Sequence, residues 1–511
     1  MTTLPPRYAD AFDDQFDVIV VGYGFAGAVA AISAADRGQR VLLAEKMPDP
    51  GGISICSGGG LRLAHDRDNA VAYLTATNDG TTPDDVITAF VEEMMQLDEY
   101  VGELAKTSDA TLVRSERPGN YPFPGCEALY FLQIDEMPGF DPDVTYPHAK
   151  ALAKGTHMFK VLQDNIRARP SITTWLESPV LRLIDDGRGG VAGLHVRTPQ
   201  GIRAVKASKG VILACGGFEA GYDLQRQFWE LFPVRTSSFL GNTGDGLRMA
   251  SEFGADLWHM WHFHGTYGFH HPDLPFAIRT KRLPDWIPSV RPVSAVMSWI
   301  LVSGDGRRFM NEYEPYLQDT GHRGLNSVDF AQMQHRHVPC YMIFDENGRG
   351  MYPVGQCIFN DREVTPYTWS TDNLKEVDSG LLKRANTIAE AAAVIGCDAK
   401  TLEATIAEWN RTVESGEDQL GRPRPSMAAL SQPPYYIGEI WPVVSNTQGG
   451  PRHDARQRIV TSFGEPIPRL YAAGEVSSIW GHIYCAGGNL TECFVGGRVA
   501  AREVAGLADA D

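Results

Sequence analysis

The sequence predicts an α/β protein, on three observations. Asp17-Val18-Ile19-Val20-Val21 is a β-branched run that leads through the turn Gly22-Tyr23-Gly24-Phe25-Ala26-Gly27 into an alanine-rich helical stretch. Two later strand-like runs, Val211-Ile212-Leu213 and Leu470-Tyr471-Ala472, are followed closely by glycine, at Gly216-Gly217 and Gly474. Hydrophobic residues make up 43% and charged residues 21% of the 511, ordinary globular usage that excludes a disordered or fibrous chain. At roughly 100–200 residues per domain the length allows two to four domains.

The first unit runs strand, turn, helix (Ala28–Ala35), then a second strand, Val41-Leu42-Leu43-Ala44, with Glu45 at its end. Gly22 makes the tight turn, Gly24 admits a pyrophosphate to the backbone, and Gly27 lets the helix pack on the strand. The helix N-terminus offers free N–H groups and partial positive charge to phosphates. Glu45, 23 residues after Gly22, suits a ribose diol and disfavours a 2′-phosphate. The unit is expected to bind a dinucleotide, FAD or NAD.

Further glycine clusters choose between the two. Lys46 is followed by Gly51-Gly52-Ile53-Ser54 and Ser57-Gly58-Gly59; later come Ala214-Cys215-Gly216-Gly217, Ala472-Ala473-Gly474-Glu475 and Gly487-Gly488-Asn489. Backbone approach at points separated by hundreds of residues fits the longer, extended FAD.

From Gly22 to Arg498, and in this order, the motifs resemble the flavoprotein family of succinate dehydrogenases and fumarate reductases, which includes the 3-ketosteroid dehydrogenases. The resemblance implies a Rossmann-like FAD-binding domain, discontinuous over residues 1–255 and 436–511, with an inserted α+β capping domain over 256–435. It implies the adenine half on Gly22, Gly24, Phe25, Ala26 and Gly27, and the ribose on Glu45 beside Lys46. Gly51, Gly52, Ile53, Ser54, Ser57, Gly58 and Gly59 would follow the pyrophosphate and isoalloxazine. Ala214, Cys215, Gly216, Asn242, Asp245, Gly474, Glu475, Asn489 and Leu490 complete the expected cofactor contacts, with Val180. Covalent members carry a histidine in the loop after the ribose acid; none lies between Glu45 and Leu63, so noncovalent FAD is expected. Val180–Val196 and Gly201–Lys206 read as a β-meander beside the sheet, with a turn at 185–190. In the cap, Asp398–Glu414 reads as a helix and Gly421–Pro434 as a proline-rich return linker.

The substrate side departs from fumarate chemistry. Arg308-Phe309-Met310-Asn311-Glu312 preserves part of the family's capping motif, but Tyr316 stands where the fumarate enzymes keep a proton-donating arginine. Ser445-Asn446-Thr447-Gln448 replaces a histidine pair, and Cys485 replaces a carboxylate-binding arginine. His264, before Gly265-Thr266, resembles one surviving family histidine. A dicarboxylate therefore fits poorly, and an aromatic, neutral site is expected. Tyr484-Cys485-Ala486-Gly487 resembles the Tyr-x-Ser-Gly pattern of the Δ4-type 3-ketosteroid dehydrogenases, with Ala486 in place of the serine. Tyr484 is expected as acid/base, Tyr316 (in preference to Tyr313) as its partner or second proton carrier, and His264 as a carbonyl-polarising group. The reaction implied is hydride transfer to or from flavin N5 across a CH–CH bond next to a carbonyl, on a hydrophobic ketone such as a 3-ketosteroid. Two alternatives stand: an ene-reductase of an unsaturated carboxylic acid anchored by His264, Arg308 or Arg452, and an electron-transfer flavin subunit without a substrate of its own.

The net charge of −17 argues against nucleic-acid or anionic-membrane partners. The expected partners are a small hydrophobic substrate and an electron donor or acceptor. Eight cysteines without CxxC spacing read as reduced thiols. The first sixteen residues carry Asp10, Asp13 and Asp14 and no apolar run, and no stretch approaches ~18 apolar residues, so a cytoplasmic location without a membrane span is expected. Five histidines between His259 and His271 lack a cysteine or carboxylate at zinc spacing, so no metal is expected.

Overall fold

The computed structural model describes residues 4–508. Strand β1 (Asp14–Val21) enters helix α1 (Phe25–Ala35), which returns as β2 (Val41–Ala44). β1 and β2 pair in parallel, and β3 (Ile172–Trp175) extends the sheet beyond β2. On the other side β1 pairs in parallel with the long β4 (Gly201–Leu213). The near end of β4 carries the antiparallel strands 191–198 and 180–185, the meander read from sequence. Nearly every residue of α1 is buried, because the helix is covered on more than one side. Its Ala/Val composition reflects that covering: small side chains allow close approach all round.

The chain then leaves this sheet for a second one. Its strands include β5 (Phe263–Phe269), β6 (Ile278–Thr280), β7 (Cys340–Phe344) and β8 (Tyr435–Thr447). β8 is flanked by antiparallel β5 and β7. Residues 436–447, placed from sequence at the start of the returning segment, therefore form a central strand of the second sheet. The mostly apolar run Tyr435–Val444 suits either sheet, and only its partners decide. Helix 399–415 packs outside this sheet, with Asp398 capping it through Thr401 N–H.

β9 (Pro466–Ala472) returns to the first sheet in parallel with β4. Helix α2 (Gly488–Ala505) then crosses α1 closely: a Cβ on Gly497 would lie 2.8 Å from the Ala26 carbonyl oxygen. Phe494 meets Phe25 edge-on at 6.4 Å between ring centroids. All eight cysteines are free thiols. Among the described residues no helix is long and apolar enough to cross a membrane.

Candidate active site

The turn between β1 and α1 opens a cleft. Gly22 has φ +102°, and a Cβ there would lie 2.5 Å from the Ala214 carbonyl oxygen, so only glycine brings β1 and β4 this close. No side chain caps α1, which leaves its first amides free at the cleft floor. Glu45 closes one side: Oε2 accepts from Tyr23 N–H and Oε1 from Met47 N–H, both at 2.8 Å. Burial raises the Glu45 carboxyl, and those two bonds oppose the shift. Lys46 Nζ reaches Asp245 Oδ2 at 2.7 Å and Thr243 Oγ1 at 2.9 Å.

Most residues expected to hold a cofactor converge here. Gly22, Gly24, Phe25 and Ala26 line the cleft with Glu45 and Lys46. Gly52, Ile53, Ser54 and Val180 form another wall; Ala214, Cys215, Gly216, Asn242, Asp245 and Glu475 complete it. Gly27, Gly51, Gly59 and Gly474 do not line this cleft. A Cβ on Gly27 would meet Gly22 O at 1.8 Å, and one on Gly59 would meet Lys154 O at 2.3 Å.

Ile53, Ser54, Glu475 and Cys493 are shared with a second chamber of about 520 Å³. Ser57, Gly58, Asn489 and Leu490 line it, and so do His264, Tyr316 and Tyr484. Both side-chain amide atoms of Asn489 are buried without a partner among the described residues. Beside the junction Asn242 Nδ2 donates to Glu219 Oε1 at 2.7 Å and Glu475 Oε2 at 3.2 Å. Burial of the two carboxyls together raises Glu475 to about 7 and Glu219 well above the carboxylate range.

Tyr484 Oη accepts the Gly487 N–H at 2.9 Å, just before α2 begins. Burial pushes its phenol well above 10, and the amides of Asn489 and Gly487 act in the opposite sense. The His264 ring lies 4.3 Å and the Tyr316 ring 6.3 Å from the Tyr484 ring. Burial also raises Tyr316, while Arg282 and Arg279 oppose. Tyr313 instead donates to Pro284 O and lines neither chamber.

Asp319, fully buried, joins these groups. Its Oδ2 accepts from Tyr121 Oη at 2.9 Å and Tyr484 N–H at 3.1 Å, and its Oδ1 lies 3.4 Å from His264 Nδ1. Burial works against its charge, yet His264, His262 and Arg323 hold the carboxyl down at about 2. Arg62, also buried, donates to Ala486 O at 2.9 Å, and Asn120 Oδ1 accepts the Ala486 N–H at 2.8 Å. The loop carrying Tyr484 is thus held at Tyr484, Ala486 and Gly487.

The chamber is not lined by neutral groups alone: Arg117, Arg279 and Arg282 are in its wall. The arginines considered from sequence are engaged elsewhere. Arg308 pairs with Glu312 and Asp418 at 2.8 and 3.0 Å, and Arg452 with Asp256 at 3.3 Å. His259 lies 2.8 Å through Nδ1 from Ser478 O, and His262 2.7 Å through Nδ1 from Trp480 O, which makes them satisfied core histidines. Among the described residues no group of His, Cys, Asp and Glu is arranged to hold a metal.

Residues 17–490 match the family described as FAD binding domain. The chain belongs to that family. It is 26% identical to a 3-oxosteroid 1-dehydrogenase of Mycobacterium tuberculosis, over 96% of this chain and 98% of that protein. It is also 26% identical to a 4-oxocyclohex-2-ene-1-carboxylate 5-dehydrogenase of Sinomonas cyclohexanicum, over 97% and 94%. Fumarate reductases are among its other relatives. The fold superimposes on the crystal structure of a 3-ketosteroid Δ1-dehydrogenase from Sterolibacterium denitrificans with TM-score 0.79, at 24% identity over 96% of this chain and 99% of that one.

The FAD-binding family cleft fits its cofactor in this chain. The free amides of α1, the buried Glu45, the glycine walls and the orphaned amide of Asn489 are the donors and acceptors that a dinucleotide and a flavin ring use. The protein is an FAD-binding oxidoreductase. Asp319, Tyr121, Arg62 and the arginine pair 279/282 escaped the sequence reading because no motif carries them. The one available signal was the basic run Arg279-Thr280-Lys281-Arg282 in an acidic chain.

Proposed function

We propose that this FAD-dependent oxidoreductase dehydrogenates, or in reverse saturates, a carbon–carbon bond adjacent to a ketone. The observation that carries this reading is the Tyr484 hydroxyl. Its oxygen accepts the Gly487 N–H, and its own proton has no acceptor among the described residues, so it is free to donate to a carbonyl oxygen in the chamber. A donor on that oxygen stabilises the enolate that forms when the α-proton leaves. Tyr316 is the group assigned to that proton, because its ring lies 6.3 Å from that of Tyr484 in the same chamber; burial raises its phenol, and Arg282 and Arg279 oppose that shift. Asp319 positions the set through Tyr121, His264 and the Tyr484 amide. Bound FAD supplies the two-electron partner for the hydride on the β-carbon. Proton from one carbon and hydride from its neighbour leave a C=C bond, with both electrons carried by the hydride.

The names of the two relatives support a ring ketone, with 3-ketosteroids as one class, and the tyrosine-lined chamber favours an enzyme over a bare electron carrier. The absence of histidine from residues 46–62 supports noncovalent FAD, which acid precipitation would release to the supernatant. The main test is Tyr484→Phe. The variant is expected to keep its flavin absorbance and to lose roughly 100-fold or more in anaerobic flavin bleaching by a saturated ketone. An unchanged rate would remove Tyr484 from the chemistry.

A further inference from the structure

The second chamber holds two arginines that the ketone reading leaves unused as ligands. Arg279, on β6, is 8% exposed and forms no ion pair with any described residue; its hydrogen bond goes to Gln318 Oε1. Arg282, three residues on, is half-buried and forms neither a hydrogen bond nor an ion pair with any described residue. Both line the chamber that holds Tyr316 and Tyr484.

The other buried arginines are treated differently. Arg62 is held by the carbonyls of Ala486, Arg117 and Pro118. Arg422 is held by the carbonyls of Trp299 and Met297 and by Glu312. Arg117, the third arginine of the chamber wall, is paired with Asp285. The charged groups acting on Arg279 are a second cation, Arg282, and the phenols of Tyr316 and Tyr484. Among the described residues Glu475 is the only acidic one in the wall, and it sits at the junction with the cofactor cleft. In a chain of net charge −17, this wall carries a local excess of positive charge.

Polar atoms beside the pair point the same way. Gln318 spends its oxygen on Arg279, and its Nε2 is buried without a partner. The hydroxyls of Ser237, Ser238 and Ser445 in the same wall are also buried and unpaired. A buried guanidinium without a counter-ion is costly, and so is each orphaned donor. A planar carboxylate satisfies the guanidinium fork and the adjacent amide together. The arginines lie outside the cleft at the α1 N-terminus, so they are not the cofactor's phosphate ligands.

We propose that the substrate is an oxo-acid, whose carboxylate is bound by Arg279 and Arg282 while its ketone is used by the tyrosines. The ketone half of this statement rests on the function proposed above; the anion site stands by itself. A neutral ketone such as an unsubstituted 3-ketosteroid would leave Arg279 with no carboxylate among the charged groups acting on it, and Arg282 with Asp285 beyond ion-pair distance.

The test uses the flavin-loaded protein and a matched pair of probes, 4-oxocyclohexane-1-carboxylate and its methyl ester, titrated by calorimetry at pH 7. The acid is expected to bind at least about tenfold tighter than the ester, the effect of a charge-assisted hydrogen bond. Arg282→Gln and Arg279→Gln should each shrink that preference, and the double variant should abolish it, with flavin absorbance unchanged. Arg282 is only half-buried, so its variant keeps the test open if Arg279→Gln does not fold. Equal affinity for acid and ester, or no binding of the acid, overturns the proposal. So does an equal loss for both probes in the variants, the outcome if the arginines serve only Tyr316. Anaerobic bleaching separates the two readings. Arginine-dependent binding of the acid without bleaching supports the anion site and sinks the ketone chemistry. Equal bleaching by both probes with equal affinity does the reverse.

Discussion

At Asp319 one carboxylate organises a tyrosine hydroxyl, a tyrosine amide and a histidine ring within a dry interior. Its charge persists because the imidazoles and Arg323 outweigh burial, leaving the carboxyl at about 2. It is therefore ionised across the whole working range, and its task is positioning. Asp319→Asn keeps the shape and removes the charge. The expected outcome is unchanged flavin content with kcat lowered about tenfold, the scale of one charge-assisted hydrogen bond. Rapid-reaction bleaching with a saturated ketone measures it, and an unchanged rate would show that Tyr121 and His264 are held without Asp319.

At the scale of elements, α2 serves both the fold and the site. Its first turn carries Asn489 and Leu490 at the chamber, and its glycine face packs on α1. One turn further, Glu492 is buried, and its Oε1 accepts the Ile479 N–H at 2.6 Å. Burial raises that carboxyl to about 8. A folded-state pKa above the unfolded value means that the folded protein holds the proton more tightly. The associated stability is complete below about pH 4.3 and is lost as pH rises through 8. Glu492→Gln, neutral at every pH, should therefore gain thermal stability relative to the parent at pH 9 and much less at pH 6. Melting curves at the two values check this, and an equal difference at both would refute the buried-acid assignment. The Arg308–Glu312–Asp418–Arg422 cluster plays the corresponding role in the second sheet. It holds the chain just before Tyr316, so the Arg-Phe-Met-Asn-Glu motif is structural here.

Over the whole molecule, the two sheets meet around the chamber, and β8 joins them physically. Its first residues pair within the second sheet, while Thr447 N–H reaches Glu475 Oε1 at 2.9 Å near the cofactor cleft. Neutral histidines are buried along the same seam. Burial lowers His262 to about 3 and His322 and His453 to about 4. Here the folded pKa lies below the unfolded value of ~6.5, so the unfolded chain takes up protons first as pH falls. The stability these groups contribute is complete above pH 6.5 and declines as pH drops toward 4. Their acid-side loss opposes the gain from the buried glutamates. His262→Gln should flatten the decline between pH 7 and pH 5, measured by denaturant midpoint; an unaltered slope would mean that His262 does not titrate with unfolding.

The cofactor half of the protein was legible because its chemistry is local. A turn, a helix start and an acid at the end of the next strand lie within thirty residues, and Gly22 and Gly27 are required by backbone geometry that sequence spacing exposes. Tyr484 and Tyr316 were legible through their positions beside such motifs, and the structure brings them into one chamber. The boundary at residue 436 was not legible, since an apolar strand does not declare which sheet it joins. Asp319 and the Arg279–Arg282 pair were hidden for a related reason: their significance lies in what surrounds them. An arginine in sequence is an ordinary solvated charge, and only the tertiary structure buries Arg279 beside a second arginine without a carboxylate paired to it among the described residues. The sequence by itself determined the cofactor, because backbone–phosphate contacts are written in short-range glycine patterns. The tertiary structure decided the charge of the substrate chamber, because desolvation and the pairing of charges belong to the packed interior.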